Sequence, residues 1–283
     1  FANNTASLPV YVVRDIDLPG WIREDTLVIL HTYSGDSKEV LDSYDEAKSR
    51  GCRCIVISSG GKIAEKAAEY GDVMIKVAGG LLPRNAFGYM LGHLAAVMEK
   101  MNVCKAAAEL RKIVPNVKAQ SERLMSPDND LVQNIARTLL RKIPVIYCLA
   151  DMRSAALRWK AQINENTKTL AFCGLLPEFN HNEIVGWSDD KNKASFVPVI
   201  LYDDDASTMV RHMTDASINI LEEKKIELIS YHISGEGNMD RNLNCMLLGD
   251  FVSCYLAHLY STGARRSASK AGFFKFIFYE STS

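Results

Sequence analysis

Short, continuously apolar runs separated by helix-length amphipathic stretches constrain this chain more than any other feature. Leu27-Val28-Ile29-Leu30 is too short for a lone helix and reads as a buried strand. From Lys38 to Arg50, Val40, Leu41, Tyr44 and Ala47 recur at helical spacing and leave the charged residues on the other face. The alternation then repeats. Cys52 to Ile57 is apolar, a helix opens at Lys62, and Val73 to Val77 is a third strand candidate. A long helix is predicted from Asn85 past Ala107, with Phe87, Leu91, Leu94, Ala95 and Met98 on one side. Pro9 to Val13 also reads as a strand. Apolar strands alternating with helices predict an α/β fold, a mostly parallel sheet covered by helices on both faces.

A domain break is predicted at Val114 to Asp130, which carries Pro115, Pro127 and the polar run Gln120-Ser121-Glu122-Arg123. The alternation starts again at Pro144 to Leu149. Met152 to Asn166 reads as a helix, Thr169 to Cys173 as a short strand, and Gly174 to Glu183 as a polar insertion. Ser195 to Leu201 and Ile226 to Ile233 read as strands, and the stretches from Ser207 to Glu223 and from Leu243 to Tyr260 as helices. The expected organisation is a domain over 1–115, a second over 116–260, and a tail over 261–283 with no clear period and a strongly aromatic segment from Phe273 to Tyr279.

Composition enters as a set of exclusions. The 283 residues carry a formal net charge of −1, so no global field points to nucleic acid or an anionic membrane. No apolar run approaches a bilayer span. The seven cysteines are scattered, form no CxxC pair and have no Cys/His spacing suited to zinc. They read as reduced core residues of a cytoplasmic protein without a metal centre.

Within this frame the turn Thr32-Tyr33-Ser34-Gly35-Asp36-Ser37 stands out. It lies between the C-terminal end of a strand and the N-terminus of a helix, where the first backbone N–H groups are unpaired and the helix dipole favours an anion. Thr32, Ser34 and Ser37 add short neutral donors, and Gly35 lets the backbone approach a ligand closely. Such a turn holds a phosphate without a metal or a row of lysines. It also fits an ordinary helix cap, with Asp36 or Ser37 at the N-cap. Ser58-Ser59-Gly60-Gly61 and the loop Leu82-Pro83-Arg84 fall at the same edge, where open α/β sheets collect their ligands.

The segment from Leu8 to Gly20, the hydroxyl turn and Ser58-Ser59-Gly60-Gly61-Lys62-Ile63-Ala64 together resemble the bifunctional phosphoglucose/phosphomannose isomerases, of the sugar isomerase (SIS) domain superfamily. So do Leu82-Pro83-Arg84-Asn85-Ala86, Asn164-Glu165-Asn166-Thr167-Lys168 and Pro177-Glu178-Phe179-Asn180-His181-Asn182-Glu183. The resemblance implies two SIS domains, each an α/β/α sandwich, and a homodimer. It implies reversible conversion of glucose 6-phosphate or mannose 6-phosphate to fructose 6-phosphate with no metal or organic cofactor. By its motifs Thr32, Ser34, Gly35 and Ser37 bind the substrate phosphate and Glu165 is the base. His181 assists ring opening from the neighbouring subunit, and Arg84 steadies the oxyanion.

Those residue types suit the chemistry. Aldose–ketose isomerisation moves a proton between C2 and C1 through a cis-enediolate, and one carboxylate can take it from one carbon and return it to the other. Partial burial at a helix end brings a carboxylate toward a useful proton-transfer range, and is expected for Glu165. A fixed, planar cation such as Arg84 stabilises enediolate oxygens. Histidine is the side chain that titrates nearest neutrality, as ring opening requires.

The chain departs from the pattern in three places. Family members usually begin with a strand and a Gly-x-Gly-Gly-Ser turn, which would precede Phe1 here. After Tyr260 a Pro-Thr-Pro-like segment and a lysine-bearing helix are expected, and Ser261 to Ser283 offer no counterpart. Asp36 and Thr32 stand where Asn and Ser are commoner. A catalytically impaired sugar-phosphate-binding regulator and an isomerase of another phosphosugar, such as an amino-sugar phosphate, are the alternative readings.

Overall fold

The apolar runs form two separate parallel sheets. The computed structural model describes residues 5–126, 128–187 and 194–261. The chain divides into two compact units, Phe1–Lys112 and Ile113–Ser283.

The first unit carries β1 (Leu27–His31), α1 (Lys38–Ser49), β2 (Arg53–Ser58), α2 (Lys62–Tyr70) and β3 (Val73–Lys76). A short 3-10 turn (Pro83–Ala86) and α3 (Phe87–Lys100) follow. The strands lie in the order β1-β2-β3, all parallel, with Leu30 opposite Val56 and Val56 opposite Met74. Side chains alternate across the sheet as the pleat requires. Val56 packs with Tyr44 and Ala47 of α1 and Ile63 and Ala67 of α2. Ile57, with Ile29, Ile55 and Ile75 beside it, packs on the other face with Ala86, Met90 and Val97. Both faces are therefore covered, which explains why the strands are continuously apolar. Parallel pairing also sends the residues that follow β1, β2 and β3 to one edge of the sheet.

The second unit holds α5 (Leu131–Leu139), β4 (Ile143–Leu149), α6 (Arg153–Thr167), β5 (Phe172–Leu176), a 3-10 turn (Glu178–His181) and α7 (Glu183–Trp187). Then come β6 (Phe196–Asp203), α8 (Thr208–Glu223), β7 (Ile229–Ile233) and α9 (Gly237–Ser261). Its parallel sheet has the order β5-β4-β6-β7. Tyr147, Phe179, Trp187, Ile200 and Leu221 form one core cluster. Helices α6 and α9 pack tightly: Trp159 is fully buried, its Nε1 donates to the Cys245 carbonyl at 2.7 Å, and it lies where a Cβ on Gly249 would stand. Beside it Arg158 pairs with Asp250 at 2.7 Å, and Gln162 donates to the same carboxylate. Among the described residues, no helix is long and apolar enough to cross a membrane.

The expected α/β class with helix-flanked parallel sheets is present, and several local expectations are corrected. Residues 9–13 form no strand. Among the described residues nothing pairs with them, and Tyr11 and Val12 remain exposed. The predicted long helix is interrupted after Lys100, because Asn102 takes a left-handed φ of 56° that asparagine tolerates, and the Ser7 N–H donates to the Val103 carbonyl. It resumes as α4 (Ala106–Met125), which includes Pro115 and runs through most of the expected break. Burial of Ile113, Gln120 and Leu124 at helical spacing outweighs the proline's cost of about 3 kcal/mol. The short strand expected at 169–173 begins at Phe172 instead, since Lys168 turns left-handed and the Thr167 and Thr169 hydroxyls pair at 2.6 Å. The start of the expected polar insertion, Gly174 to Leu176, belongs to that strand. The tail from residue 262, and Pro127, lie outside the described residues.

Candidate active site

The hydroxyl turn sits where β1 hands over to α1. Thr32 is buried, its N–H held by the Ile57 carbonyl at 3.2 Å, so the turn is fixed to the neighbouring strand. Ser37 occupies the N-cap position of α1 but makes no side-chain capping bond. Its Oγ instead lies 3.4 Å from Thr32 Oγ1. Ser34 is exposed, its Oγ accepting a long 3.4 Å bond from the Asp36 N–H. The ordinary-cap reading is thus not what the side chains do. Three hydroxyls stand at a helix N-terminus and none caps α1.

Asp36 has a different role from the one its position suggested. Its Oδ1 accepts from the Lys62 N–H at 3.0 Å, so the carboxylate caps α2, not α1. The Ile63 N–H goes to the Gly35 carbonyl at 3.0 Å. Two donors at the start of α2 are thereby engaged internally. The two glycine turns interlock backbone to backbone: a Cβ on Gly35 would fall 1.8 Å from the Gly60 carbonyl oxygen, and one on Gly61 2.3 Å from that of Ser34. Both residues also have positive φ (79° and 75°), which favours glycine independently.

Arg84 is half-buried in the 3-10 turn Pro83–Ala86, whose Ala86 is fully buried under α3. The loop leading to it is tied to the hydroxyl turn by Tyr33. The Tyr33 hydroxyl donates to the Ala78 carbonyl at 3.1 Å and accepts from the Leu81 N–H at 2.9 Å. The Tyr33 carbonyl accepts from the Ser59 N–H (3.0 Å) and hydroxyl (2.6 Å). One residue therefore links the loops after β1, β2 and β3. Just before the turn, burial holds the His31 imidazole below its ordinary value, with the Met90 carbonyl pulling the other way.

In the second unit Glu165 lies in the last turn of α6, flanked by two anchored asparagines. Asn164 Oδ1 accepts from the Ala171 N–H at 2.9 Å, and Asn166 Nδ2 donates to the Ser253 hydroxyl at 2.9 Å. Between them the Glu165 side chain is 58% exposed and reaches Lys168 at 3.9 Å. The partial burial expected for it is not present in the single chain.

His181 repeats the arrangement. Asn180 Oδ1 accepts from the Ser217 hydroxyl at 2.7 Å, Asn182 Nδ2 donates to Glu178 Oε1 at 3.0 Å, and His181 itself is exposed. Behind the loop the Tyr147 hydroxyl donates to Glu183 at 2.5 Å and accepts from Trp187 Nε1 at 3.0 Å. Burial, then the Glu183 carboxylate, push the Tyr147 pKa up, so it stays a donor.

The fold groups Thr32, Ser34, Gly35 and Ser37 in one turn and tethers the Arg84 loop to it. It does not bring Glu165 and His181 of one chain together. Glu165 precedes the start of β5 and His181 follows its end, so the five residues of the strand, about 17 Å at ~3.3 Å each, lie between them. The sequence reading missed Tyr33 and the asparagine anchors. The recurrence of Asn-x-Asn around both Glu165 and His181 was the available signal.

The chain is similar to known proteins in sequence and in fold. The family described as the bacterial phospho-glucose isomerase C-terminal SIS domain matches residues 128–267. A bifunctional phosphoglucose/phosphomannose isomerase of Aquifex aeolicus is 35% identical over 254 residues, covering 89% of this chain and 76% of the relative. One from Caldicellulosiruptor bescii is 31% identical over 266 residues, covering 92% and 78%. Among solved structures, tagatose-6-phosphate ketose/aldose isomerase from Escherichia coli superposes with a TM-score of 0.63 over 88% of this chain and 73% of its own, at 13% identity, a likeness of fold alone. With the hydroxyl turn, the two asparagine-flanked residues and relatives of this identity and coverage, the chain belongs to the bifunctional phosphoglucose/phosphomannose isomerase family.

Proposed function

We propose that the protein interconverts glucose 6-phosphate and/or mannose 6-phosphate with fructose 6-phosphate, with no metal or organic cofactor. The observation that carries this reading is the Ser37 hydroxyl, which stands at a helix N-terminus beside Thr32 without capping the helix. Thr32, Ser34, Ser37 and the backbone at Gly35 hold the sugar phosphate there. Each compact unit is a SIS domain in this reading, and the protein works as a homodimer.

Glu165 removes the proton from C2 of the open-chain aldose and delivers it to C1, passing through a cis-enediolate. The charge that develops first on O1, and on O2 once the O2 hydroxyl proton has passed to O1, is stabilised by the Arg84 guanidinium. His181 moves the proton needed at the ring oxygen. The placement of Glu165 and His181 beyond opposite ends of β5 supports their meeting across a two-fold interface, Glu165 from one copy and His181 from the other. The exposure of both side chains in the single chain fits such an interface. Since one carboxylate shuttles the proton and an arginine carries the counter-charge, the scheme needs no Lewis acid.

A coupled assay for fructose 6-phosphate, run on glucose 6-phosphate and on mannose 6-phosphate in the presence of a chelator, tests the proposal. Turnover that survives chelation supports it. Absence of turnover on both sugars in a folded, phosphate-binding protein overturns it.

A further inference from the structure

The loop that leads to Arg84 is largely exposed. Val77 is buried and so is Ala86, but Ala78, Gly79, Gly80, Leu81, Leu82 and Pro83 are exposed between them. Gly79 and Gly80 have open space where side chains would stand, and Gly80 takes a φ of 86°. Across this stretch the Tyr33 hydroxyl both donates to the Ala78 carbonyl and accepts from the Leu81 N–H. It closes the base of the loop like a clasp, three residues before Arg84. Tyr33 itself sits between Thr32 and Ser34, and it packs against the buried cluster of Ile57, Val77, Ala86, Met90 and Val97. Any shift of the hydroxyl turn on taking up a phosphate therefore moves the clasp.

We propose that Tyr33 is a positioning residue that relays occupancy of the phosphate turn to the Arg84 loop. Binding energy from the non-reacting phosphate is thereby used to fix the guanidinium that faces the enediolate, so the gain appears in turnover, not in ground-state affinity. This rests on the isomerase reading given above. Tyr33→Phe isolates the effect, because it removes the hydroxyl while leaving the packed ring and the carbonyl bonds from Ser59 in place.

The test compares wild type, Tyr33→Phe, Arg84→Ala and the double variant, with inorganic phosphate as the probe of the turn. In wild type, phosphate slows hydrogen exchange at the amides of Leu81, Arg84 and Asn85. In Tyr33→Phe, phosphate binds within about twofold of wild type, yet that protection is lost; kcat falls about 10- to 100-fold while KM for the hexose phosphate stays within about twofold. On the Arg84→Ala background, Tyr33→Phe changes kcat by less than about twofold, because the relay has no guanidinium to position. An equal fall in kcat with and without Arg84, a loss of phosphate affinity matching the loss of kcat, or unchanged protection in Tyr33→Phe overturns the relay. If wild type shows the protection and Tyr33→Phe loses it but neither isomerises a hexose 6-phosphate, the relay stands and the isomerase reading falls.

Discussion

The Ser217 hydroxyl on α8 donates to the Asn180 side-chain carbonyl at 2.7 Å, and Ser217 is nearly fully buried. This bond ties the residue immediately before His181 to a rigid helix. Ser217→Ala leaves the Asn180 oxygen without its donor, a loss of about 1–3 kcal/mol if the site stays dry. The His181 loop then loosens. The expected outcome is a several-fold fall in kcat with inorganic phosphate affinity unchanged, since the hydroxyl turn lies in the other unit. Competitive inhibition by phosphate, measured alongside turnover, checks both halves.

Gly35→Ala meets two obstacles at once. The backbone has a φ of 79°, and the new Cβ would stand 1.8 Å from the Gly60 carbonyl oxygen. The two turns must separate, disturbing the Thr32 and Ser37 hydroxyls. A rise in KM of more than about tenfold is expected, with a destabilisation of about 1–3 kcal/mol in denaturant titration. Wild-type KM in this variant would remove Gly35 from the site.

Asp36→Asn separates the two roles of that side chain. The amide oxygen can still accept from the Lys62 N–H, so α2 keeps its cap. The negative charge beside the proposed phosphate disappears, which favours the anion by about 0.3–1 kcal/mol at low salt and less at high salt. Phosphate inhibition constants should fall two- to fivefold at low ionic strength, about 10 mM, and converge at high salt. Asp36→Ala, which also loses the cap, should destabilise the fold where Asp36→Asn does not.

Acid stability follows from two desolvated imidazoles, the buried His258 and the more exposed His31. Burial holds His31 and His258 below the ordinary 6.5. In the folded protein they stay neutral at pH values where the unfolded chain has taken up protons. Their contribution is therefore complete above about 6.5 and declines as pH falls below it. The denaturant midpoint should drop between about pH 7.5 and about pH 5.5, and replacing both with Gln should flatten that drop. A midpoint that rises on acidification would contradict the assignment.

Much of this was legible in the sequence because strand and helix periods are local. The apolar runs around Ile29, Val56 and Ile146 announce buried parallel strands. Long-range contacts were not legible. Residues 9–13 have strand-like composition but, among the described residues, no strand pairs with them, and Pro115 sits inside a helix because Ile113 and Leu124 are buried around it. The hydroxyl turn was readable as an anion site, but only in the folded chain does Asp36 reach across to Lys62 while Ser37 makes no capping bond. Glu165 is exposed where partial burial was expected, because α6 buries Trp159, Ile163 and Thr167 and leaves Glu165 off that face.

The separation of Glu165 from His181 along β5 makes the central claim directly measurable. Glu165→Gln and His181→Ala are each expected to bind phosphate normally and to lose nearly all turnover as pure dimers. Mixed by co-expression, they form heterodimers in which one of the two sites draws an intact Glu165 and an intact His181 from different chains. Random pairing then restores about one quarter of wild-type activity on the hexose 6-phosphate, half the dimers having one good site each. Recovery near that level supports a metal-free isomerase with a shared active site. A mixture that stays as inactive as its parents would contradict it.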